Sequence, residues 1–577
     1  MPDTRGAGVR VHARSEVTRL LCAAAYTDRG FRNGVIKELV EHPERSVAPS
    51  LGFDAVPVLR HCLRARRMEA TAALRVIGSW VVLWLTVLLL FVILVSVPGA
   101  MNGLWEDITL GMSLGVYIGG RLVLGFAVFT WLSRFLTGRS TALYLEDTAE
   151  RRRTRGIFAV LGVLLRWAVR LCAVTTVLAV LVALVAQPFI QSSPSEPAPL
   201  FFGVLGVIVV FLMVTWVAAW YRTAVESVLT TELSERRFTG TGPEVDAKYA
   251  PLLDMIAREQ HSRVVVYDTA RPFRGAGNAF DAWSLPLELR AADGRQPTGG
   301  LDGRFVTDLV RRELESLTTS DTGAGLDRLK GMEITECVFL PGPLPLGYTR
   351  GQLPVGCEDA SEHIDEAVNE GAEQRRHFLR VRIGGWEEHV VTTIYVRAHA
   401  HRGMLLLEVV PHVLAPLDDR FLAADAIAEA APLGPGQGAR RLLSALFSGP
   451  AASLIACVSL IQTGASLVRT RLNRPDGNRV EGPRASIRER AAGGGLSLFQ
   501  EMDVARYVKT VEERMAKGVR KALLDAGYET DEFQRRIVNI SGGGVFVGGS
   551  VSGGAIATGQ GSLARSGGTH GRERDSD

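Results

Sequence analysis

Lysine and the common catalytic motifs are scarce or missing in this chain. Six of its 65 basic residues are lysine, and no lysine follows a glycine, which excludes a phosphate-binding P-loop. The sequence also contains no HExxH motif and no CxxC pair. The usual zinc-protease, zinc-finger and thiol-redox signatures are therefore absent. These absences favour a protein that is not an enzyme and needs no cofactor or metal.

Cysteine and net charge are low as well. The six cysteines are scattered over 577 residues without paired spacing, which is typical of reduced thiols and not of a disulfide framework. The formal net charge is +4, and the basic residues gather beside apolar runs. This charge pattern does not indicate a nucleic-acid partner.

Long apolar runs are what the chain has in abundance. A membrane-spanning helix needs about 20 predominantly apolar residues, and four segments meet that requirement: 76–97, 108–136, 171–190 and 200–221. Residues 76–221 are therefore predicted to form a four-helix transmembrane region, with the lipid bilayer as its partner. The third segment is preceded by Arg166 and Arg170, which can extend their charged ends to the membrane surface.

The distribution of arginine predicts the orientation of these segments. The connections 98–107 and 191–199 contain no Lys or Arg, whereas the middle connection contains six arginines between 134 and 155. The flanks before residue 76 and after residue 221 are basic as well. By the positive-inside rule, both termini are predicted to be cytoplasmic, in the plasma membrane of a bacterium.

Two features of the second apolar segment suggest more than packing. Gly111, Gly115 and Gly119 are spaced by four, so on a helix they form a stripe that lets another helix approach closely, either within the bundle or in a dimer. Arg121 lies near the middle of the segment. An arginine at this depth is either paired or extended to the surface, or has a role in anion binding or gating.

The remaining residues are predicted to form soluble parts. Residues 1–75 are expected to be a cytoplasmic helical region. Residues 222–430 are expected to be a cytoplasmic α+β domain, because strand-like runs alternate with a helix over 305–317. Three of those runs, at 378–383, 390–398 and 404–410, are separated by short turns and predict an antiparallel meander.

The C-terminal part is predicted to be more varied. Residues 431–495 are interpreted as a basic amphipathic segment, lying on the membrane or packed on the soluble domain, followed by a linker. Residues 496–558 are expected to contain a helix over 502–526 and a Gly-rich β motif, and 559–577 a disordered tail. The apolar stripe of that helix must be buried, either on this chain or against a second copy.

A glycine turn follows the strand predicted at 263–267. Gly275 and Gly277 resemble the start of a dinucleotide-binding loop, but Phe280 stands where its third glycine would be. A tight turn is the better interpretation. Arg271 and Arg274 flank it, and together with the Gly275 turn they are candidates for binding an anion.

Four stretches resemble a group of actinobacterial multi-pass integral membrane proteins that have a cytoplasmic α+β domain and no established activity. They are TRLLCAAAYTDRGF at 18–31, VAPSLGFDAVPVLRHC at 47–62, VVVYDTARPFRGAG at 264–277 and GGGVFVGGSVSGGAIATGQG at 542–561. The resemblance implies a bacterial plasma-membrane location and assigns no role to any residue.

Three functions stay open at this point. The first is a non-enzymatic, membrane-anchored scaffold or sensor with a cytoplasmic protein partner, which assembles as a homo-oligomer through the C-terminal helix or the glycine stripe. The second is a small channel or transporter that uses Arg121. The third is a membrane-bound enzyme with an unfamiliar site within residues 240–430. The missing catalytic motifs favour the first.

Overall fold

The computed structural model describes most of the chain in segments. These are residues 15–96, 199–292, 301–319, 328–344, 357–370, 375–422, 435–472 and 479–541, together with scattered positions between 121 and 171 and the single residues 350 and 425. Elements are numbered in chain order within these segments.

Helices form the first half of the described chain. They are α1 (Glu16–Thr27), α2 (Arg29–Ile36), α3 (Ala55–Ser96), α4 (Pro199–Thr231) and α5 (Ala250–Glu259). A π-helical turn, Lys37–Glu41, follows α2. The Ser15 hydroxyl accepts a hydrogen bond from the Thr18 backbone N–H at 3.2 Å and so caps the start of α1.

Two stretches of helix in the described segments are long and apolar enough to cross a membrane, where the sequence predicts four spans. They are Ala55–Thr86 in α3 and Ile208–Thr231 in α4. The described segments therefore show two candidate spans and not four; the predicted spans 108–136 and 171–190 lie outside the described residues, apart from scattered positions. A four-helix membrane bundle is therefore unconfirmed.

Both helices carry a large exposed apolar surface. Twelve large apolar side chains on them are between 46% and 64% exposed: Leu74, Val81, Val82, Trp84, Leu85, Leu88, Leu89, Val92, Val209, Leu212, Met213 and Trp216. Exposed apolar surface of this extent is unusual for a soluble protein and typical of contact with lipid or with another protein surface.

A long helix in the region 431–495 joins this helical unit. Helix α8 (Pro435–Leu472) packs against α3 and α4 through Ala452, Ile455 and Ala456, which are buried in one core with residues of α1 and α2. The chain after it does not form a free linker, because residues 479–493 contact both the helical unit and the sheet domain.

The second unit is built on a seven-stranded sheet. Its strands are β1 (Val264–Asp268), β2 (Asn278–Ala279), β3 (Trp283–Glu288), β4 (Glu333–Gly342), β5 (Arg376–Gly385), β6 (Val390–His401) and β7 (Met404–Leu414). The order is β1-β4-β5-β6-β7, and β2 and β3 both pair with the outer edge of β7. The β1–β4 pair is parallel and all other pairs are antiparallel.

The antiparallel meander predicted over 378–410 is present as β5, β6 and β7. Arg402 and Gly403 both have positive φ, +46° and +80°, between the paired residues His401 and Met404. Two consecutive residues of this kind form the turn that matches the twist of a β-hairpin.

Helices cover the sheet. One face packs against α6 (Gly303–Thr319) and α10 (Leu498–Asp525), while α7 (Cys357–Glu370) lies against β4 and β5. The apolar stripe of α10 lies inside this core: Val504, Val508, Val511, Met515, Val519 and Leu523. The stripe predicted from the sequence is thus buried within its own chain, and a homo-oligomer through this helix stays a prediction.

Residues near the start of the predicted Gly-rich β motif are helical instead. Helix α11 (Asp531–Ser541) buries Phe533 and Ile537 in the same core as α10. These two residues are four apart, and residues at that spacing share one face of a helix and of a strand alike, so the spacing alone does not distinguish the two. Residues 542–558 of the motif and the predicted tail 559–577 lie outside the described residues.

A cationic cleft as the candidate functional site

A cleft of about 880 Å³ opens at the edge of the sheet where β2 and the end of β7 meet residues 484–493. The side chains that matter for its chemistry are four arginines, one histidine and one glutamate: Arg271, Arg274, Arg484, Arg490, His412 and Glu489. Clefts of this size commonly hold small-molecule ligands.

The loop between β1 and β2 forms one wall. Phe273 points into an aromatic cluster beneath the cleft, with its ring centroid 4.7 Å from that of Tyr395 and 5.2 Å from that of Phe339. Burial of this ring anchors the loop. Arg271 and Arg274, on either side of the Pro272-Phe273 pair, line the cleft.

Two glycines give this loop its shape. Gly275 and Gly277 have φ of +100° and +94°, a conformation that side-chain-bearing residues rarely adopt. A Cβ atom at Gly277 would lie 2.2 Å from the Val413 carbonyl oxygen, so no larger residue fits there. The loop can therefore turn its backbone N–H groups towards the cleft.

The opposite wall is held by Glu489 in helix α9 (Ile487–Arg490). Its Oε1 accepts hydrogen bonds from the backbone N–H of Gly275 at 2.6 Å and of Gly277 at 3.3 Å. Its Oε2 lies 3.4 Å from Arg274 Nη1. The Glu489 carboxylate thus joins the two walls.

A buried arginine fixes α9 behind the cleft. Arg488 is fully buried, and its Nη2 donates to the carbonyl oxygens of His389 at 2.7 Å and Ala415 at 2.8 Å. Burial lowers the pKa of the Arg488 guanidinium to about 10, so it stays charged at neutral pH. This contact ties residues 487–490 to the ends of β6 and β7.

The electrostatics of the cleft favour an anion. Among the described lining residues, Glu489 is the one acid against four arginines. Burial lowers the pKa of His412, partly offset by its backbone hydrogen bond to Val410 and by the charge of Glu489, so His412 is neutral at pH 7. The guanidinium of Arg271 has no hydrogen bond or ion pair within the described part of the chain, and the residue is exposed.

Some of the site residues predicted from the sequence lie together at this cleft, and others do not. Arg271, Arg274 and the Gly275 turn meet at this cleft. Arg121 is helical with an exposed side chain, and it does not line the cleft. Gly111, Gly115 and Gly119 lie outside the described residues.

Sequence reasoning missed the other wall of the cleft. Glu489 is 214 residues from Gly275, and no spacing rule connects them. Arg484 and Arg490 lie in a stretch interpreted as a linker, where arginine alone carries no signal. The SIRER sequence around Glu489 contains a capped helical turn, because the Glu489 N–H donates to Ser486 Oγ at 3.5 Å, and this was the available hint.

No cluster of metal-ligand type accompanies this cleft. Within the segments that the structure describes, no group of three or more His, Cys, Asp or Glu side chains is placed to hold a metal ion. His399 and His401 stack at the end of β6 with ring centroids 6.0 Å apart, and this pair has no third ligand there.

Part of the chain matches a known family of domains. An AbeC-like domain covers residues 282–553. No curated protein and no solved structure matches the chain. The matched range is just under half of the sequence and contains the strands from β3 onward and helices α6 to α11. It supplies His412, Arg484, Glu489 and Arg490 to the cleft, whereas the loop with Arg271 and Arg274 precedes it.

Proposed function

We propose that this protein is a membrane-anchored, non-enzymatic sensor whose α+β domain binds a small anion in the cationic cleft and reports its presence to the helical unit. The observation that carries the proposal is that one segment, residues 479–493, lines the cleft and also contacts the helical unit. A shift of this segment on ligand binding would therefore change its contacts with both the cleft and the helical unit.

The contacts of this segment with the helical unit are specific. Glu38, in the π-helical turn after α2, is 7% exposed, and its Oε1 accepts from the backbone N–H of Arg484 at 2.8 Å and of Ala485 at 3.1 Å. The Arg490 guanidinium lies so close to α2 that a Cβ atom at Gly34 would be 2.9 Å from its Nη1. Arg484 and Arg490, which both line the cleft, therefore contact the stretch from Gly34 to Glu38.

From α2 a buried polar network leads to the long helices. Arg32 donates to the Glu69 carboxylate of α3, and Arg29 Nε lies 3.6 Å from it. Ser459 Oγ of α8 donates to Glu69 Oε1 at 2.8 Å. Buried groups of this kind have few alternative partners, so a displacement of α2 is expected to move α3 and α8 with it.

Membrane anchoring is the second part of the proposal. The exposed apolar faces of α3 and α4 support it, because lipid would cover surface that water does not favour. The flanking arginines and the resemblance to actinobacterial membrane proteins support a bacterial plasma membrane with both termini in the cytoplasm. The output of the sensor would then be a cytoplasmic protein partner or a change in assembly.

Hydrogen exchange of the full-length protein in detergent micelles tests the coupling, with inorganic pyrophosphate as the probe anion. The expected result is a change in exchange at residues 271–279 and 484–493 and also at residues 29–41. In Glu38→Gln the change at 29–41 should shrink while the change at the cleft persists, because the amide is a weaker acceptor for the two backbone donors.

The matched control is Glu16→Gln, which removes one charge from α1 without touching residues 479–493. It should behave like the unaltered protein. Exchange changes confined to the cleft in the unaltered protein would reduce the domain to a simple binding module and reject the sensor. A complete lack of change at the cleft would reject the anion site as well.

A further inference from the structure

The anion-binding loop of the cleft is already occupied by an anion of the same chain. The backbone N–H groups of Gly275 and Gly277 converge on Glu489 Oε1, and the Arg274 guanidinium faces Oε2. Successive N–H groups from a turn with positive φ, reinforced by an arginine, are a recurrent binding arrangement for phosphate and carboxylate groups.

Glu489 satisfies this arrangement incompletely. Its distance to Arg274 Nη1 is 3.4 Å, longer than the 2.7–2.9 Å of a well-formed charge-assisted hydrogen bond. The Arg274 Nε is buried and has no hydrogen-bond partner within the described segments. A single carboxylate therefore leaves donors that a group with more oxygens would use.

The rest of the cleft has volume and positive charge that Glu489 does not use. Its volume of about 880 Å³ is many times that of a carboxylate. Arg271 and Arg490 are exposed and have no ion pair with described residues, while Arg484 is paired with Glu481 at 3.3 Å. Pro272, which is exposed, and Phe273, which is partly buried, add an apolar wall beside these charges.

We infer that the cleft takes a small phosphorylated molecule and that Glu489 is an internal competitor which the phosphate displaces. A phosphate offers three oxygens to the two glycine N–H groups and to Arg274, and a dianion beside the Glu489 carboxylate would be repelled unless the carboxylate moved away. The organic part of the ligand would rest on the apolar wall.

Displacement gives the site a direct mechanical consequence. Glu489 and Arg490 are neighbours in a helix of four residues, so moving the carboxylate out of the loop also moves the Arg490 guanidinium that lies against Gly34. This inference rests on the proposed function for the position of the ligand. It adds the ligand class and the event that begins the response.

Calorimetric titration of inorganic phosphate and pyrophosphate into the full-length protein in detergent tests the inference. Glu489→Gln keeps an oxygen for the two glycine N–H groups and removes the charge, so the loop stays folded. This variant is expected to bind pyrophosphate at least about tenfold more tightly than the unaltered protein. Adding Arg274→Ala to it should abolish the gain, and Arg271→Ala should weaken binding in both backgrounds.

Glu501→Gln is the matched control, because it changes the net charge equally from an exposed position at the start of α10. It should leave the affinity unchanged. Equal affinity in Glu489→Gln and Glu501→Gln would overturn the competitor role of Glu489. Binding that is unaffected by both Arg271→Ala and Arg274→Ala would overturn the site. Charge-dependent binding without exchange changes at residues 29–41 would uphold the ligand class and reject only the sensor.

Discussion

The buried carboxylate of Glu69 allows a quantitative test of how the helical unit is held together. The Glu69 and Arg32 side chains are both 3% exposed and form an ion pair, with Arg29 at 3.6 Å and the Ser459 hydroxyl at 2.8 Å from the same carboxylate. Truncation in Glu69→Ala would leave the Arg32 guanidinium buried without its counter-charge.

The size of the effect follows from that burial. Removing one partner of a buried ion pair typically destabilises a protein by about 3–5 kcal/mol, because the remaining charge stays desolvated. For a cooperative unit of 150–250 residues, each kcal/mol lowers the melting temperature by about 2–4 °C. Glu69→Ala is therefore expected to lower the melting temperature of the helical unit by roughly 6–20 °C.

Replacing both partners distinguishes a charge effect from a packing effect. In Arg32→Met/Glu69→Leu the apolar pair needs no counter-charge, so most of the lost stability should return. The assay is thermal melting in detergent followed by circular dichroism, with Glu16→Ala as a control at a partly exposed carboxylate. A Glu69→Ala shift no larger than that of Glu16→Ala would refute the reasoning, as would a double variant no more stable than Glu69→Ala.

Three further predictions concern the sheet domain. Met515→Ala, at a fully buried position of α10, should lower the free energy of unfolding by about 2–5 kcal/mol in denaturant titration, whereas Met502→Ala on the same helix, at 60% exposure, should change it by less than about 0.5 kcal/mol. Gly277→Ala should destabilise the domain by more than the roughly 1–2 kcal/mol of a left-handed residue, because its Cβ also meets the Val413 carbonyl, and it should abolish pyrophosphate binding. Burial and the charges of Arg304, Arg311 and Arg397 lower the pKa of His377 to about 3. Between pH 6.5 and about 3, His377 is therefore protonated in the unfolded chain and neutral in the folded one. The free energy of unfolding should fall as the pH drops through this window, by up to about 1.4 kcal/mol per pH unit for this group. In His377→Asn the slope of stability against pH should be smaller by that amount, and an unchanged slope would contradict it.

The lowered pKa of His377 has to be reconciled with a carboxylate that lies close to its ring. The Glu336 carboxylate lies 3.8 Å from His377 Nε2 and would by itself raise the pKa. However, Glu336 also pairs with Arg304 and Arg311, so its charge is already neutralised. Burial therefore dominates, and the pKa of His377 falls.

Local signals predicted the elements of the fold better than their arrangement. The meander and α10 were foreseeable because alternation, turn residues and the spacing of apolar residues act within a few positions. The parallel β1–β4 pair was not foreseeable, because it joins Val264 to Val338 across 74 residues. The sequence left open whether helix α8 lies on the membrane or packs on the soluble domain, because its partners, α3 and α4, are hundreds of residues away in sequence.

The residues of the candidate site likewise divide into those that local sequence could identify and those that it could not. Arg271, Arg274 and the Gly275 turn could be recognised because glycines with flanking arginines suit an anion whatever the rest of the fold does. Glu489 could not be recognised, since an acid in a basic stretch has no meaning until the fold brings it to the glycine loop. The acid that restrains the site is thus a tertiary feature.

The way the chain runs between its two units argues against a loosely tethered domain. It passes from α5, which packs in the helical core, to β1, returns from the end of β7 towards α8, and crosses again from α8 to residues 479–493 before α10 completes the core of the sheet. At the last crossing the backbone N–H of Glu481 donates to the Glu44 carbonyl oxygen at 3.0 Å and the N–H of Ser46 donates to that of Glu481 at 2.9 Å, which forms a short bridge with the N-terminal region. A scaffold that only needed to hold a domain near the membrane would require one flexible linker. Three connections, one of which lines the candidate cleft, favour small relative displacements of the two units, and small displacements transmitted through packed contacts are what the proposed sensor would require.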